Sequence, residues 1–373
     1  MSAAPAPRPV LAAVETTRVT QRLDPALAVR GPRATHDVSS FVLVRVITRD
    51  GIEGYGEVSA TPNWSGEDAV TAEHVIRDVI APALVGREIA LVAECTAAMD
   101  RAIAGNPFTK AGVNTALWDA LGRAWGLPVA ELLGGVRRES VPIKISLSGD
   151  GEELDAAHAA AVRMGFTAFK LKVGKEPGRD LARFARVREL VGDDAFVGTD
   201  ANGAWSRMQA MRLIPALRDA GAAFAEQPLP ADDVEGLAGL RRLGLPVVVD
   251  EAVYSLGDLA RVIRADAADG VSIYVGKSGG LERAVAAARV CAAFGLGVVI
   301  GSNGEMGVGA AAQTHVACAC EALGDIPSDI NGPHLYSGEL LAEPLPLTAT
   351  EARLPDGTGL GVTLADDVRR RFA

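Results

Sequence analysis

Apolar and polar positions run along this chain in two different rhythms, and the rhythm changes at Val141. Before it, from about Leu11 to Leu133, strand and helix signals are mixed. Ser40–Thr48 (SFVLVRVIT) is a β-branched run, Asp50-Gly51 is a hairpin turn signal, and Ile52–Val58 returns along it. Ser65 is expected to cap a helix, with an acid at Asp68 three residues on. Val113, Ala116, Leu117, Ala120, Leu121 and Ala124 keep helical spacing, and Gly126 and Pro128 end that helix.

From Val141 short apolar runs alternate with helix-like stretches. The runs are VPIKISLS (141–148), AFKLKV (168–173), AFVGTD (195–200), AAFAEQ (222–227), PVVVDE (246–251), GVSIYVGK (270–277) and LGVVIGSN (296–303). A continuous apolar strand is buried on both faces, as in a parallel sheet built of strand–helix units. Seven such runs and a weaker eighth near Asp325–Gly332 favour a closed barrel over an open sheet. The tail after Leu345 has no partner in this series, and its Gly-rich turn at Asp356–Gly361 is expected to return to the first domain.

Composition narrows the class. Of 373 residues 49% are apolar and 23% charged, enough to build a large soluble core. A net charge of −10 argues against nucleic acid as a partner, though not against an anionic substrate in a locally cationic pocket. No apolar run approaches the roughly 20 residues of a membrane span, and Met1–Pro9 is Ala/Pro-rich without the apolar core of a secretion signal. The cysteines Cys95, Cys291, Cys318 and Cys320 make no disulfide pattern, so the cytoplasm is the expected compartment. Cys318 and Cys320 lie near His315 but lack further zinc ligands, and read as buried helix residues.

The chemistry is concentrated where the apolar runs end. Asp200, Glu226 and Asp250 each close one, at separations of 226 − 200 = 26 and 250 − 226 = 24, one strand–helix unit apiece. In a parallel barrel such ends open on one face. Three converging carboxylates repel unless a cation sits among them, and oxygen-only ligands suit Mg²⁺ before Mn²⁺. Lys170 and Lys172, two apart on one strand, point the same way. Their crowding is expected to lower a lysine pKa toward that of a general base. Lys277 is expected to end another strand, across the barrel from them, so that a carbon held between has one lysine per face.

Lys-x-Lys, Asp-x-Asn (Asp200, Asn202), Glu-Gln-Pro (Glu226, Gln227, Pro228), Asp-Glu (Asp250, Glu251) and Lys-x-Gly-Gly (Lys277, Gly279, Gly280) occur in that order. The ordered set resembles the enolase superfamily, in the muconate-lactonizing-enzyme subgroup of its mandelate racemase/muconate lactonizing enzyme family. ALWDALGRAWGLPVAELLGG (116–135) is similar to the end of that subgroup's capping domain. The resemblance implies an α+β capping domain (1–137, with 1–9 unstructured), a modified (β/α)₇β barrel (138–345), and a C-terminal segment (346–373) packing on the cap. It implies Mg²⁺ on Asp200, Glu226 and Asp250, with Asn202 and Glu251 supporting them from outside. Lys172 would be the acid/base catalyst, Lys170 its electrostatic support, and Lys277 the opposite acid/base or a cation facing the enolate.

A small carboxylic acid is the implied substrate, and a homo-oligomer is expected. Trp64, Asn303, Glu305 and Asp329 are candidates for substrate binding. A lactonizing cycloisomerase ranks ahead of an epimerase or racemase, or of a dehydratase, because no Asp-x-Asp of the dipeptide epimerases is present. A Schiff-base aldolase would leave the three acids unexplained, and a silent binding protein would not need the full set. GLGVVIG (295–301) spaces its glycines wrongly for a dinucleotide site.

Overall fold

The structure, a computed structural model, describes residues 7–32 and 35–372. Residues 1–6 of the segment expected to be unstructured lie outside the described residues. Pro7 and Pro9 are tied down, their carbonyls accepting from Trp125 Nε1 (2.8 Å) and Ile89 N (2.9 Å).

The first part is an antiparallel sheet of β1 (Leu11–Arg22), β2 (Val38–Thr48) and β3 (Glu53–Ser59), with β2 central. The β2–β3 hairpin turns at Asp50-Gly51, where Gly51 takes φ +80. Two short helices follow, α1 (Pro62–Ser65) and α2 (Ala69–Val75), then α3 (Val92–Ala102) and α4 (Pro107–Trp125). Asp68, rather than Ser65, caps α2. Its carboxylate accepts from Val70 N (2.8 Å) and Thr71 N (3.0 Å), while Ser65 ends a separate turn started by Pro62. Helix α4 lies so close on the sheet that a Cβ at Gly56 would stand 1.9 Å from Gly112 O. Only glycine fits there.

Seven parallel strands make the second part: β4 (Ile145–Leu147), β5 (Ala168–Lys172), β6 (Phe196–Asp200), β7 (Ala225–Glu226), β8 (Val247–Val249), β9 (Gly270–Ile273) and β10 (Gly297–Ile300). They neighbour one another in sequence order. Among the described residues no regular strand fills the eighth place. Instead an irregular segment joins the two edges: Leu323 bridges Val298, Asp329 N donates to Ile300 O (2.8 Å), and Lys144 N donates to Ser328 O (2.9 Å). The ring is thereby closed as a modified barrel.

The tail runs back along both parts. Glu351–Arg353 pairs with Ser140–Pro142, Leu360 N donates to the buried Asp119 (2.7 Å), and Phe372 packs 6.3 Å from Tyr55. Cap and barrel are clasped by Glu282 at the start of α5 (Leu281–Ala293). Its carboxylate accepts from Thr96 Oγ1 (2.7 Å), Asn114 Nδ2 (2.8 Å) and Trp118 Nε1 (2.8 Å). A Cβ at Gly280 (φ +139) would strike Asn114 at 2.4 Å, so the Gly-Gly turn is what lets Asn114 reach Leu281 N (2.9 Å). Glu282→Ala leaves the Trp118 indole N–H without an acceptor and takes one acceptor each from Thr96 and Asn114. Urea unfolding should show a loss of about 2 kcal/mol, and a loss under about 0.5 would mean the clasp is dispensable.

On α6 (Gly307–Ala319) His315 and Cys318 are buried, as is Cys320 at its C-cap, and the cysteines are free. His315 Nδ1 accepts from Ala130 N (3.0 Å), so the ring proton sits on Nε2. Burial depresses its pKa from 6.5 to about 4. Protonation is therefore penalised in the fold and not in the unfolded chain. That contribution is whole above pH 6.5 and is lost as pH falls through 4. Its size is on the order of 3 kcal/mol. Unfolding midpoints measured from pH 7 to 4 should fall less steeply in His315→Asn, whose amide oxygen can replace the Nδ1 acceptor. Parallel curves would show that other groups carry the acid lability.

Candidate active site

Parallel register sets the acids side by side. Lys172 on β5 pairs with Asp200 on β6, and Asp200 pairs with Glu226 on β7. Asp250 follows β8 directly, and all three acids are at most 1% exposed. Each is drawn onto a lysine. Lys172 Nζ is 2.6 Å from Asp200 Oδ2. Lys170 Nζ lies 3.0 Å from Glu226 Oε2, 3.0 Å from Asp329 Oδ2 and 3.6 Å from Asp200 Oδ2. Lys277 Nζ meets the Asp250 carboxylate and donates to two carbonyls, Asp250 O and Ser272 O, both at 2.8 Å.

This pairing reverses the expectation for the lysines. Burial alone would depress Lys170 and Lys172, but their carboxylates (Asp329, Glu226 and Asp200 around Lys170, chiefly Asp200 at Lys172) hold both above the usual lysine range. Asp200 is held low: burial raises it, and the two lysines more than offset that. Glu226 is the least compensated acid. Burial, with Asp200, Asp329 and Asp250 nearby, pushes it up to about 8 against the pull of Lys170.

The residues fit a hard cation on one direct observation. Glu226 Oε1 is buried without a hydrogen-bond partner, amid acids on adjacent strands. A desolvated, unpartnered carboxylate oxygen is costly, and a cation among these oxygens would remove that cost. Among the described residues no three His, Cys, Asp or Glu side chains are already gathered as a metal cluster; the acids are paired with ammonium groups instead.

Beside the acids lies a cavity of about 150 Å³, lined by Lys170, Lys172, Asn202, Trp64, Tyr274 and Asp329 among others. Asn202 (φ +43) accepts from Lys172 Nζ (3.3 Å) and donates to Glu251 Oε1 (3.0 Å), which also accepts from Trp64 Nε1 (3.1 Å). Trp64 stacks on Tyr274, centroids 5.2 Å apart. Asn303 also lines the cavity, but its amide is engaged with the cap, through Ser59 O (2.9 Å) and Thr61 Oγ1 (3.3 Å). Glu305 does not reach this cavity. Its carboxylate is turned inward, accepting from Asn303 N (3.0 Å), Gln313 Nε2 (2.9 Å) and the Ser302 hydroxyl, and it lines a separate small cavity with Glu57.

Lys277 is not at a strand end. It falls in the helical turn Val275–Ser278, and Tyr274 is the residue that follows β9. Three further residues carry weight for which the sequence suggested no role. Lys144, 0% exposed, bonds Asp329 Oδ2 (3.0 Å); Gln227 (φ +33) accepts from Asp250 N (2.9 Å) and Ala252 N (3.1 Å), fixing the β7–β8 ends; Tyr274 Oη donates to Asp250 Oδ2 (3.1 Å). A lysine inside the apolar run VPIKISLS was the available signal for Lys144.

A capped parallel barrel whose successive strands end in acids beside a Lys-x-Lys strand is the architecture of the enolase superfamily. The chain belongs to the mandelate racemase/muconate lactonizing enzyme family: its N-terminal domain model matches residues 13–134, and the enolase C-terminal domain-like model matches residues 153–368. The chain is 36% identical to muconate cycloisomerase 1 of Rhodococcus opacus over 334 residues, 88% of this chain and 89% of that one. The structure superposes on 2-chloromuconate cycloisomerase of Rhodococcus opacus 1CP with a TM-score of 0.92, at 33% identity, covering 98% of this chain and 99% of that one. It superposes on the muconate lactonizing enzyme of Pseudomonas fluorescens, solved with muconolactone, with a TM-score of 0.91 at 28% identity, covering 98% and 100%.

Proposed function

We propose that the protein is a Mg²⁺-dependent cycloisomerase of the muconate-lactonizing type, in which a carboxylate of an unsaturated diacid closes onto its own double bond and Lys172 supplies the proton to the carbon α to the other carboxylate. The observation that carries this reading is Lys172, in register with Asp200 and lining the cavity. Enzymes of this family depend on a divalent metal. Asp200, Glu226 and Asp250 would hold it, and it would supply positive charge where the carboxylate oxygens gain electron density.

The chain's own groups do the rest. With its acids engaged elsewhere, the pairing that keeps Lys172 charged weakens, and its ammonium can give a proton to carbon and, in reverse, take it back. Lys170, lodged between Glu226 and Asp329, stays charged and steadies the developing anion. Asn202 offers Lys172 a second acceptor beside Asp200. The charges suit an anionic substrate. With every acid ionised, as cation binding requires, Lys144, Lys170, Lys172 and Lys277 stand against Asp200, Glu226, Asp250, Asp329 and Glu251, a balance of 4 − 5 = −1. A divalent cation turns that to +1. Carriage of a proton by a single lysine favours cycloisomerisation over epimerisation, which needs a base on each face.

Two outcomes test this. Glu226→Gln should abolish Mg²⁺-dependent conversion of cis,cis-muconate, by at least about 100-fold. In chelator the variant should unfold at no lower a temperature than the parent, since a neutral amide replaces a carboxyl whose ionisation burial opposes, and Mg²⁺ should no longer raise its midpoint. Full Mg²⁺-dependent turnover in Glu226→Gln would end the metal assignment. Lys172→Ala should stop deuterium entering muconolactone from D₂O, followed by NMR; exchange persisting at the parent rate would end the assignment of Lys172. A screen in which only neutral sugars or phosphate esters turn over would exclude the reading altogether.

A further inference from the structure

The far side of the cavity is not built as the lysine pattern suggests. Strand β9 is four places from β5 in a ring of seven strands and one closing segment, so their C-terminal ends stand opposite each other. At the end of β9 is Tyr274, which lines the 150 Å³ cavity together with Lys170 and Lys172. Lys277, three residues later, opens on a different space of about 400 Å³, which shares Tyr274 with the first and is lined also by Ser272, Tyr254 and the cap residues Asp100 and Lys110. Its ammonium lies 4.4 Å from the centroid of the Tyr274 ring and 5.7 Å from that of Tyr254. The Tyr274 ring also stacks on Trp64, at 5.2 Å and 19° between planes, and its hydroxyl donates to Asp250.

We propose that Tyr274 is the residue that meets the substrate on the face opposite Lys172, and that Lys277 is a positioning residue, acting through the Tyr274 ring and Asp250 from a cavity of its own. Lys277 is anchored independently of any acid, because two of its acceptors are the backbone carbonyls of Asp250 and Ser272. Those carbonyls remain when a cation claims the Asp250 carboxylate. The attraction between an ammonium and an aromatic face adds to the hold. The substrate side is then a flat wall of two stacked rings, Tyr274 and Trp64. Such a wall suits a planar unsaturated acid and offers no amine to a second face of the reacting carbon. Deuterium should accordingly enter from one face only.

The kinetic part of the test rests on the cycloisomerase reading; the structural part does not. In a crystal structure of the protein with Mg²⁺ alone, Lys277 Nζ should remain within hydrogen-bond distance of Ser272 O and Asp250 O, with Tyr274 facing the main cavity. An Nζ swung past Tyr274 into that cavity would overturn the proposal, whatever the substrate. With cis,cis-muconate, Tyr274→Ala should raise KM about tenfold or more while kcat changes by less than about threefold, and Tyr274→Phe, which keeps the ring, should raise KM by less. Lys277→Met should turn over more slowly yet still exchange the muconolactone proton on the same face as the parent. Loss of exchange as complete as in Lys172→Ala, in a Lys277→Met protein that still binds Mg²⁺, would also overturn it. If the parent protein converts no muconate, the cycloisomerase reading fails, and the Mg²⁺ structure decides the placement of Tyr274 and Lys277 alone.

Discussion

The in-register pairing of Lys172, Asp200 and Glu226 is the constraint around which the mouth of the barrel is arranged. Parallel strands with no offset bring the last residues of neighbours together. Acids in those places are forced into mutual repulsion at almost no solvent exposure. Burial of several carboxylates is tolerable only with opposite charge at hydrogen-bond range. Lys170, reaching Glu226, Asp200 and Asp329 at once, meets most of that need, and Lys144 meets it from below through Asp329. The orphaned Glu226 oxygen marks where the lysines run out.

The same charges tie the capping domain to the chemistry. Trp64, on the short α1 turn of the cap, donates to Glu251; Glu251 holds Asn202; Asn202 touches Lys172. A displacement of the cap loop is thus felt, through three hydrogen bonds, at the lysine proposed to move the proton. The rear of the cap is fixed more rigidly. Glu57 on β3 accepts from Met306 N (2.6 Å) and Gly309 N (2.9 Å) at the N-terminus of α6, a carboxylate where a helix presents bare N–H groups. Glu305 organises the intervening loop from inside, and Asn303 binds that loop to Ser59. The polar residues of GSNGEMG divide accordingly between the loop's own conformation and its tie to the cap.

Much of this architecture was legible because it is written in local patterns. Each of the seven barrel strands lies within a largely apolar run, since a strand covered on both faces buries most of its side chains. The β2–β3 hairpin and the end of α4 follow from Asp-Gly and Gly-x-Pro signals that act over a few residues. What was not legible depends on contacts distant in sequence. The eighth place is held by backbone bonds to Ile300 and Lys144 rather than by a strand propensity of its own. Asp68 outcompetes Ser65 as a cap because Ser65 is committed to Thr61 and Glu67. Glu305 turns inward because Gln313 and Ser302, neither evident as partners in the sequence, wait there.

The lysines show the same limit more sharply. Counting cations predicts a depressed lysine, and counting the acids within reach predicts the opposite, because Lys170 alone has three carboxylates around it. Periodicity supplied the first count and only the folded ring supplies the second. Lys277 was placed by spacing, as the charge nearest the end of the run GVSIYVGK. Strands end where their ladder bonds end, however, and this one ends at Ile273. A helical turn then carries Lys277 back under Tyr274, where its ammonium finds two carbonyls and a ring face instead of open space. Three residues of helix thus convert a lysine suited to a second base into a support for an aromatic wall. The two sides of the cavity become chemically unlike, with ammonium groups on one and stacked rings on the other.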